Sequence, residues 1–232
     1  MKLEDFLAKS VTTDYIDLSP KLDVVESGII LNRSSDVIEA GMSKLLKRHL
    51  KEMLIPDYLL NDPEAVGYPD EQMQKDIYMW TLQYMVGRHT VKDIGCGRGD
   101  FGDYFPTEYY TGIDINQIMI SAGKQKHPDL NLICGDYFNY TEPTDYTVCI
   151  GTLNTFIGIE KWEWFDRTLA YALDTSNIAS IFVLQSDTEL DGYLSYPINE
   201  ILTRIPSKLP FKLDYTKFED IYVLVVYKQP YS

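Results

Sequence analysis

The chain has 232 residues and is 45% hydrophobic, which suits one domain with a sizeable core, and no apolar run approaches the ~20 residues of a membrane span. Its 35 acidic and 21 basic residues give a formal net charge of -14. That balance argues against duplex DNA as a substrate, because nucleic-acid enzymes usually carry a basic groove.

The first residues predict a cytoplasmic protein. Glu4 and Asp5 stand where a secretory signal would be basic and then apolar. Residues 1–88 as a whole are expected to form a helical extension or lid, separate from a main domain at 89–232.

Two helical signals lie in this extension. Ser34-Ser35 precedes a periodic segment from Asp36 to about Met53. Basic residues on this segment alternate with leucines and predict an amphipathic helix with a basic face: Lys44, Lys47, Arg48, His49 and Lys51. That face is either solvated or a phosphate-binding patch. Further on, Asp62-Pro63 offers an N-cap with proline at N1, and helical spacing recurs from Tyr68 to Gly87.

From Val91 onward, strands alternate with helical segments. Five short apolar strands are predicted at Val91–Ile94, Tyr109–Ile113, Leu130–Cys134, Tyr146–Ile150 and Ile178–Gln185. Helical or turn segments are predicted between them at Asp100–Phe105, Asn116–His127, after Asp136, and at Glu160–Leu173. This alternation indicates a parallel sheet that is covered on both faces.

The C-terminal segment breaks the alternation. Phe211–Phe218 and Ile221–Tyr227 are separated by two residues, which is too short for a parallel crossover and predicts an antiparallel hairpin. The second strand is almost wholly apolar and therefore suits a position buried on both faces. The three cysteines are far apart in the sequence and fall in or beside strands, so no metal site is expected.

The glycine-rich turn after the first strand points to an adenosine cofactor. It reads D-I-G-C-G-R-G-D-F from Asp93, and Asp114 ends the next strand in G-I-D-I-N. Glycines allow a tight turn and close approach to a nucleoside, and an acid after the second strand can accept hydrogen bonds from ribose hydroxyls. A dinucleotide fingerprint overlaps the same turn at Gly97, Gly99 and Gly102. No tyrosine has a lysine four residues later, as a short-chain dehydrogenase would require.

These motifs, together with C-G-D-Y at Cys134 and Y-T-V-C-I-G-T-L-N at Tyr146, resemble those of class I S-adenosylmethionine-dependent methyltransferases over about residues 91–227. D-P-E-A-V-G-Y at Asp62 and the ending Y-K resemble a poorly characterised microbial and viral branch. The resemblance implies an α/β fold with a Rossmann-like seven-stranded sheet, mostly parallel with a C-terminal antiparallel hairpin and helices on both faces.

The resemblance also assigns cofactor-binding roles. The glycine turn would line the methionine and ribose side, Asp114 would hold the ribose diol, Ile115 would pack on the adenine, and Asp136 would accept from the adenine amine. By the same resemblance, Tyr68 and Gln74 would help close the site from the N-terminal helix. The full predicted set is Asp93, Gly95, Cys96, Gly97, Gly99, Asp114, Ile115, Asp136, Tyr137, Gly151 and Gln74. Three simpler alternatives stay open: Asp136 caps a turn, Asp114 caps the next helix in place of Asn116, and Arg98 is solvated or reaches the cofactor carboxylate.

The segment after the fourth strand should face the methyl acceptor. It lacks the N/D-P-P-Y motif of DNA amino-methyltransferases, and the chain has no Pro-Cys nucleophile. None of the three histidines is placed as an active-site base. Candidates for acceptor contact are Asn154, Asp187 and Tyr193, with Tyr196 beside them, although Asn154 could equally cap the next segment.

The favoured hypothesis is a methyltransferase that uses S-adenosylmethionine on a small-molecule or protein acceptor. One alternative is a non-catalytic binding or assembly module that keeps the fold. Another is RNA or nucleotide methylation, which would need the basic helix at 44–51 to face the pocket.

Overall fold

The computed structural model describes residues 57–85, 87–155, 159–186, 193–218 and 220–229. The helix predicted from Asp36 to Met53, with its basic face, lies outside these residues, as does Asp187. The division of the chain near residue 88 stays a prediction. Within the described part, Ile77 and Tyr78 share a core cluster with Val91 and Val148 of the main domain.

One seven-stranded sheet organises the described residues. Its strands are β1 (Val91–Ile94), β2 (Tyr110–Asp114), β3 (Asn131–Cys134), β4 (Thr144–Ile150), β5 (Ser176–Gln185), β6 (Phe211–Tyr215) and β7 (Ile221–Tyr227). The spatial order is β3-β2-β1-β4-β5-β7-β6. β1 to β5 pair in parallel, and β7 pairs antiparallel with both β5 and β6. The predicted sheet with its C-terminal hairpin is confirmed.

The strand β7 occupies the position that its composition predicts. It lies between β5 and β6, and its residues from Tyr222 to Tyr227 are all buried. Even-numbered Leu224 and Val226 face one core cluster, while odd-numbered Val223 and Val225 face the other. An alternating polar strand in this place would leave unpaired polar side chains in one of the two cores.

Among the described residues, five α-helices accompany the sheet: α1 (Asp57–Asn61), α2 (Glu71–Leu82), α3 (Gln117–Lys126), α4 (Lys161–Thr175) and α5 (Ile198–Arg204). Residues of α2 and α3 pack in one core cluster and those of α4 and α5 in the other. Because adjacent residues of β5, such as Phe182 and Val183, belong to different clusters, the helices cover both faces. No helix in the described ranges has both the length and the apolar character that crossing a bilayer requires.

Several element boundaries differ from those predicted, for local reasons. α2 begins at Glu71 rather than near Tyr68, because the Asp70 carboxylate caps it by accepting from Met73 N at 2.7 Å. The helix predicted over 100–105 is a 3-10 helix at Asp100–Tyr104, and the extended Phe105 before Pro106 ends it. β6 stops at Tyr215, since Thr216 N and Oγ1 both donate to Ile221 O and close the hairpin turn.

Candidate functional site

The turn between β1 and the following 3-10 helix needs glycine at Gly95 and Gly97. Their φ values are +72° and +58°, in the left-handed region that side chains disfavour. A Cβ on Gly95 would lie 2.0 Å from Thr152 Oγ1, and one on Gly97 would lie 3.2 Å from Val66 Cγ1. The turn is therefore enclosed on one side by Thr152, two residues after β4, and on the other by residues that precede α2.

Asp114, at the end of β2, is tied to this turn. Its Oδ2 accepts from Gly97 N at 2.8 Å and its Oδ1 from Asn116 N at 2.7 Å. Desolvation raises the pKa of Asp114 to about 6, although the two backbone donors act to lower it. Helix α3 is capped by Asn116, which accepts from Ile118 N and Met119 N. Asp114 is thus not needed as the helix cap and remains directed at the turn.

Asp93 is the most deeply buried acid of the site. Its side chain is 3% exposed, and its Oδ2 accepts from Tyr110 Oη at 2.6 Å. Desolvation raises the pKa of Asp93 to about 7; the bond from Tyr110 opposes that rise and the nearby Asp114 charge adds to it. A carboxyl group that titrates close to neutrality therefore lies beneath the glycine turn.

Asp136 follows β3 and caps the short 3-10 helix at Tyr137–Asn139 by accepting from Phe138 N at 3.0 Å. It also borders the cavity. Its role as a turn cap is therefore confirmed, while its contact with the cofactor stays a prediction. Tyr137 borders the cavity too, and its hydroxyl accepts from Trp164 Nε1 at 3.1 Å and pairs with Thr168 Oγ1 at 2.8 Å. These bonds fix the Tyr137 ring against α4.

Gly151 and Thr152 follow β4 and lie next to the glycine turn. Thr152 Oγ1 donates to Ile94 O at 2.9 Å and to Gly95 O at 3.1 Å, so the ends of β1 and β4 are joined by one hydroxyl. Because this hydroxyl proton is shared between two carbonyls, Thr152 positions the turn. Gly151 adopts a φ of +76°, and a Cβ there would meet nothing within 4 Å.

One cavity of about 560 Å³ connects these groups at the carboxyl ends of the parallel strands. Nine of the predicted cofactor residues line it: Asp93, Gly95, Cys96, Gly97, Asp114, Ile115, Asp136, Tyr137 and Gly151. Of the acceptor candidates, Tyr193 lines it and forms an isolated bridge with Thr155, which also lines it. The volume lies in the range that small-molecule and cofactor sites usually have.

Two residues predicted to bind the cofactor do not line the cavity. Gly99 packs against β3, where a Cβ would come within 2.6 Å of Leu132 Cδ2. The Gln74 amide instead donates to Tyr78 Oη and Asp100 Oδ2, both at 3.2 Å. Both residues therefore support the turn from behind. They were predicted as cofactor residues because a sequence motif cannot distinguish a residue that faces the ligand from one that faces the core.

The acceptor candidates Asn154 and Tyr196 are also structural. Asn154 Oδ1 accepts from Gln185 N at 3.2 Å, which ties the end of β5 to the turn after β4. The Tyr196 side chain is fully buried, and its hydroxyl donates to Leu153 O at 2.9 Å. Both alternatives given for Arg98 are wrong, because its side chain is 1% exposed and bonds to Asp100 and to two backbone carbonyls.

Of the wall that precedes α2, the sequence analysis named Tyr68 alone. Glu64 to Pro69 all line the cavity. The available signal was Asp62-Pro63 followed by Gly67: Asp62 caps the 3-10 helix Pro63–Val66, and Gly67 ends it in the left-handed conformation. Trp164 and Arg167 of α4 also line the cavity and were not predicted.

Acidic side chains dominate the charged groups of this lining. Among the described residues, four carboxylates border the cavity (Glu64, Asp93, Asp114 and Asp136) against one cation, Arg167. Such a cavity favours a ligand that carries positive charge. Within the same described ranges, no group of three His, Cys, Asp or Glu residues is placed to hold a metal ion.

Comparison with known proteins gives structural matches alone. No protein-family model and no curated protein sequence matches the chain. Magnesium protoporphyrin IX methyltransferase from Synechocystis PCC 6803, solved with bound S-adenosylmethionine, is similar with a TM-score of 0.53 and 15% identity, over 84% of this chain and 96% of that one. The N-methyltransferase NodS from Bradyrhizobium japonicum WM9, solved with S-adenosylhomocysteine, has a TM-score of 0.53 and 16% identity, over 79% of this chain and 98% of that one.

A third similar structure is a TehB-like methyltransferase from Corynebacterium glutamicum, with a TM-score of 0.51 and 17% identity, over 72% of this chain and 92% of that one. At these identities the matches establish the architecture alone. The resemblance inferred from the ordered motifs is confirmed at that level. The chain has the class I S-adenosylmethionine-dependent methyltransferase fold.

Proposed function

We propose that this chain binds S-adenosylmethionine and transfers its methyl group to a small molecule or to a protein side chain. The observation that carries the proposal is that the glycine turn, Asp93, Asp114 and Asp136 border one cavity. Carboxyl ends of parallel strands are where open α/β sheets bind ligands. The similar structures with bound S-adenosylmethionine or its demethylated product support the same cofactor here.

The residues present fit this cofactor. Each Asp114 oxygen takes one backbone donor, which leaves each with capacity to accept from a ribose hydroxyl. Gly97 presents backbone without a side chain to the cavity, and Asp136 keeps an oxygen that can accept from an amine. The excess of carboxylates suits a sulfonium cation.

S-adenosylmethionine supplies a methyl group already activated for displacement by a nucleophile. The protein then mainly has to align the acceptor and exclude water. Thr152 holds the ends of β1 and β4 together for this purpose. We assign acceptor contact to Tyr68, Thr155 and Tyr193, which line the cavity outside the predicted cofactor residues.

A small acceptor is favoured over a nucleic acid because the charge of the chain and of the cavity lining is acidic. The RNA alternative depends on residues 44–51, which lie outside the described part. The cytoplasmic location stays a prediction. A non-catalytic module with the same cofactor site is the outcome that an activity assay must separate from the enzyme.

The test is a screen of small-molecule and protein acceptors with methyl-labelled S-adenosylmethionine. We expect label transfer by the wild-type protein. Asp114→Asn should raise the KM for the cofactor by about 10- to 150-fold, since hydrogen bonds to a charged acceptor contribute about 1.5–3 kcal/mol. Glu108→Gln, a change in an exposed acid that does not line the cavity, is the matched control. Cofactor binding without label transfer to any acceptor would favour the non-catalytic module.

A further inference from the structure

A buried ionic cluster lies behind the cavity, formed by Arg98, Asp100, Gln74, Lys126 and His127. Arg98 Nε donates to Asp100 Oδ2 at 2.7 Å, and its Nη1 donates to the carbonyl oxygens of Leu59 and Asp62, both at 2.8 Å. A guanidinium group holds its donors in one rigid plane. The three bonds therefore fix two backbone carbonyls in relation to the glycine turn.

Asp100 stays ionised within this cluster. Burial alone would raise the pKa of Asp100, but His127, Arg98 and Lys126 outweigh it and hold that pKa well below the usual range. Lys126 Nζ donates to Oδ1 at 2.8 Å, and His127 Nε2 lies 3.0 Å from the same oxygen. Asp100 is the first residue of the 3-10 helix, and its ionised carboxylate keeps the Arg98 guanidinium in place at the start of that helix.

The carbonyls that Arg98 holds belong to the wall segment, residues 57–69. This segment contains the five-residue helix α1 and the four-residue 3-10 helix, both far shorter than the ~12–15 residues an isolated helix needs. It is also anchored by a small apolar cluster in which Leu59 and Ala65 pack with Met119 and Ala122 of α3, and by the edge-on contact of the Tyr68 ring with Tyr78. Its far end, Glu64 to Pro69, lines the cavity.

We propose that Arg98 is a positioning residue for the ligand that the cavity binds. It acts through the carbonyls of Leu59 and Asp62, because its own side chain does not line the cavity. Binding and attachment of the wall segment are then coupled, so each must stabilise the other to the same extent. The identity of the ligand rests on the proposed function, whereas the role of Arg98 in holding the wall segment does not.

Arg98→Lys tests geometry separately from charge. Lysine keeps a cation near Asp100, but its single ammonium nitrogen cannot occupy both the position of Nε, which bonds Asp100, and that of Nη1, which bonds the two carbonyls. The readout is hydrogen exchange at four amides of the wall segment that bond within it: Asp62, Ala65, Gly67 and Tyr68. Arg204→Lys is the matched control, because Arg204 pairs with Asp166 and stacks over Trp162, away from the cavity lining.

In Arg98→Lys we expect these four amides to exchange about 10-fold faster, which corresponds to the loss of one hydrogen bond from a charged donor. Amides of β4 and β5 should keep wild-type rates, and Arg204→Lys should leave the wall segment unchanged. The Kd for S-adenosylhomocysteine should rise about 10-fold in Arg98→Lys by the same coupling.

Wild-type exchange rates at the four amides of Arg98→Lys would overturn the proposal, even if ligand affinity fell. Global loss of protection in both Arg98→Lys and Arg98→Gln would also overturn it, since the role would then be in overall folding. If wild-type protein binds no S-adenosylhomocysteine, the proposed function fails, while the exchange rates still decide the role of Arg98.

Discussion

Gly95→Ala should destabilise the fold through a single identifiable contact. At a φ of +72°, alanine carries a strain of about 1–2 kcal/mol. Its Cβ would also lie 2.0 Å from Thr152 Oγ1 and 2.3 Å from Thr152 Cγ2. Relief of that overlap must displace Thr152, at a further cost of about 1–3 kcal/mol for overpacking and about 1 kcal/mol for a lost hydrogen bond.

Gly151→Ala is the matched control. Its φ of +76° imposes similar strain, but a Cβ there meets nothing within 4 Å. The free energy of unfolding should therefore fall about 2–4 kcal/mol further in Gly95→Ala than in Gly151→Ala. For a chain of this size, the melting temperature of Gly95→Ala should be about 5–15 °C below that of the control.

Thermal and urea unfolding of the two variants measures this difference. The double variant Gly95→Ala/Thr152→Ala lacks Oγ1 and Cγ2, so its loss of unfolding free energy should be smaller than the sum of the losses in the two single variants. Part of the overlap should persist, because the Cβ of residue 152 lies 2.7 Å from the new methyl group. Equal stability of Gly95→Ala and Gly151→Ala would refute the reasoning, since strain alone would then account for both.

Three further predictions concern the acids and Asn154. As the pH rises from 4 to 7, the unfolding free energy of the wild type should fall relative to that of Asp93→Asn by up to about 4 kcal/mol, because the native state keeps a proton on Asp93 that the unfolded state has lost. If urea titrations gave the same difference between the two proteins at every pH, the raised pKa of Asp93 would be contradicted. The affinity of the wild type for S-adenosylhomocysteine should weaken as pH falls below about 6, where Asp114 becomes protonated, and calorimetry showing a constant Kd from pH 5 to 8 would contradict its acceptor role. Asn154→Ala should lower the unfolding free energy by about 0.5–1.5 kcal/mol, because the hydrogen bond from Gln185 N to Asn154 Oδ1 is lost. Its Kd should equal that of the wild type, and a large change in that Kd would place Asn154 in the binding site.

The sheet was predictable from local pattern. Short apolar strands alternating with helices require a parallel sheet, and the two-residue gap before Ile221 requires an antiparallel return. Segment ends were less predictable, because they depend on individual caps. Asp70 moves the start of α2, and Thr216 closes β6 earlier than its apolar pattern suggests.

The candidate site was predictable where a residue is fixed by strand-end geometry. Asp93, Asp114 and Asp136 follow that rule and border one cavity. Side-chain direction within a turn is not encoded by a motif. Arg98 donates to the carbonyls of Leu59 and Asp62, and Gln74 donates to Asp100, because buried donors must find acceptors. The motif did not predict either direction.

Apart from Tyr68, the residues of the wall segment were not predicted individually to line the site. The contribution of the wall segment depends on long-range contacts between Leu59 and Met119 and between Arg98 and two backbone carbonyls. Neither hydrophobic periodicity nor turn chemistry reports contacts between residues nearly 40 positions apart in sequence, as Arg98 and Leu59 are. Asp62-Pro63 and Gly67 marked a structured turn without showing what it covers.

Titration calorimetry of the wild type and Asp114→Asn with S-adenosylhomocysteine at pH 7.5 tests the central claim most directly, namely that these strand-end carboxylates enclose an adenosyl cofactor. We expect one ligand per chain for the wild type and an affinity weaker by about 10-fold or more for Asp114→Asn. No heat of binding to the wild type, or equal affinities of the two proteins with both shown to be folded, would contradict the account.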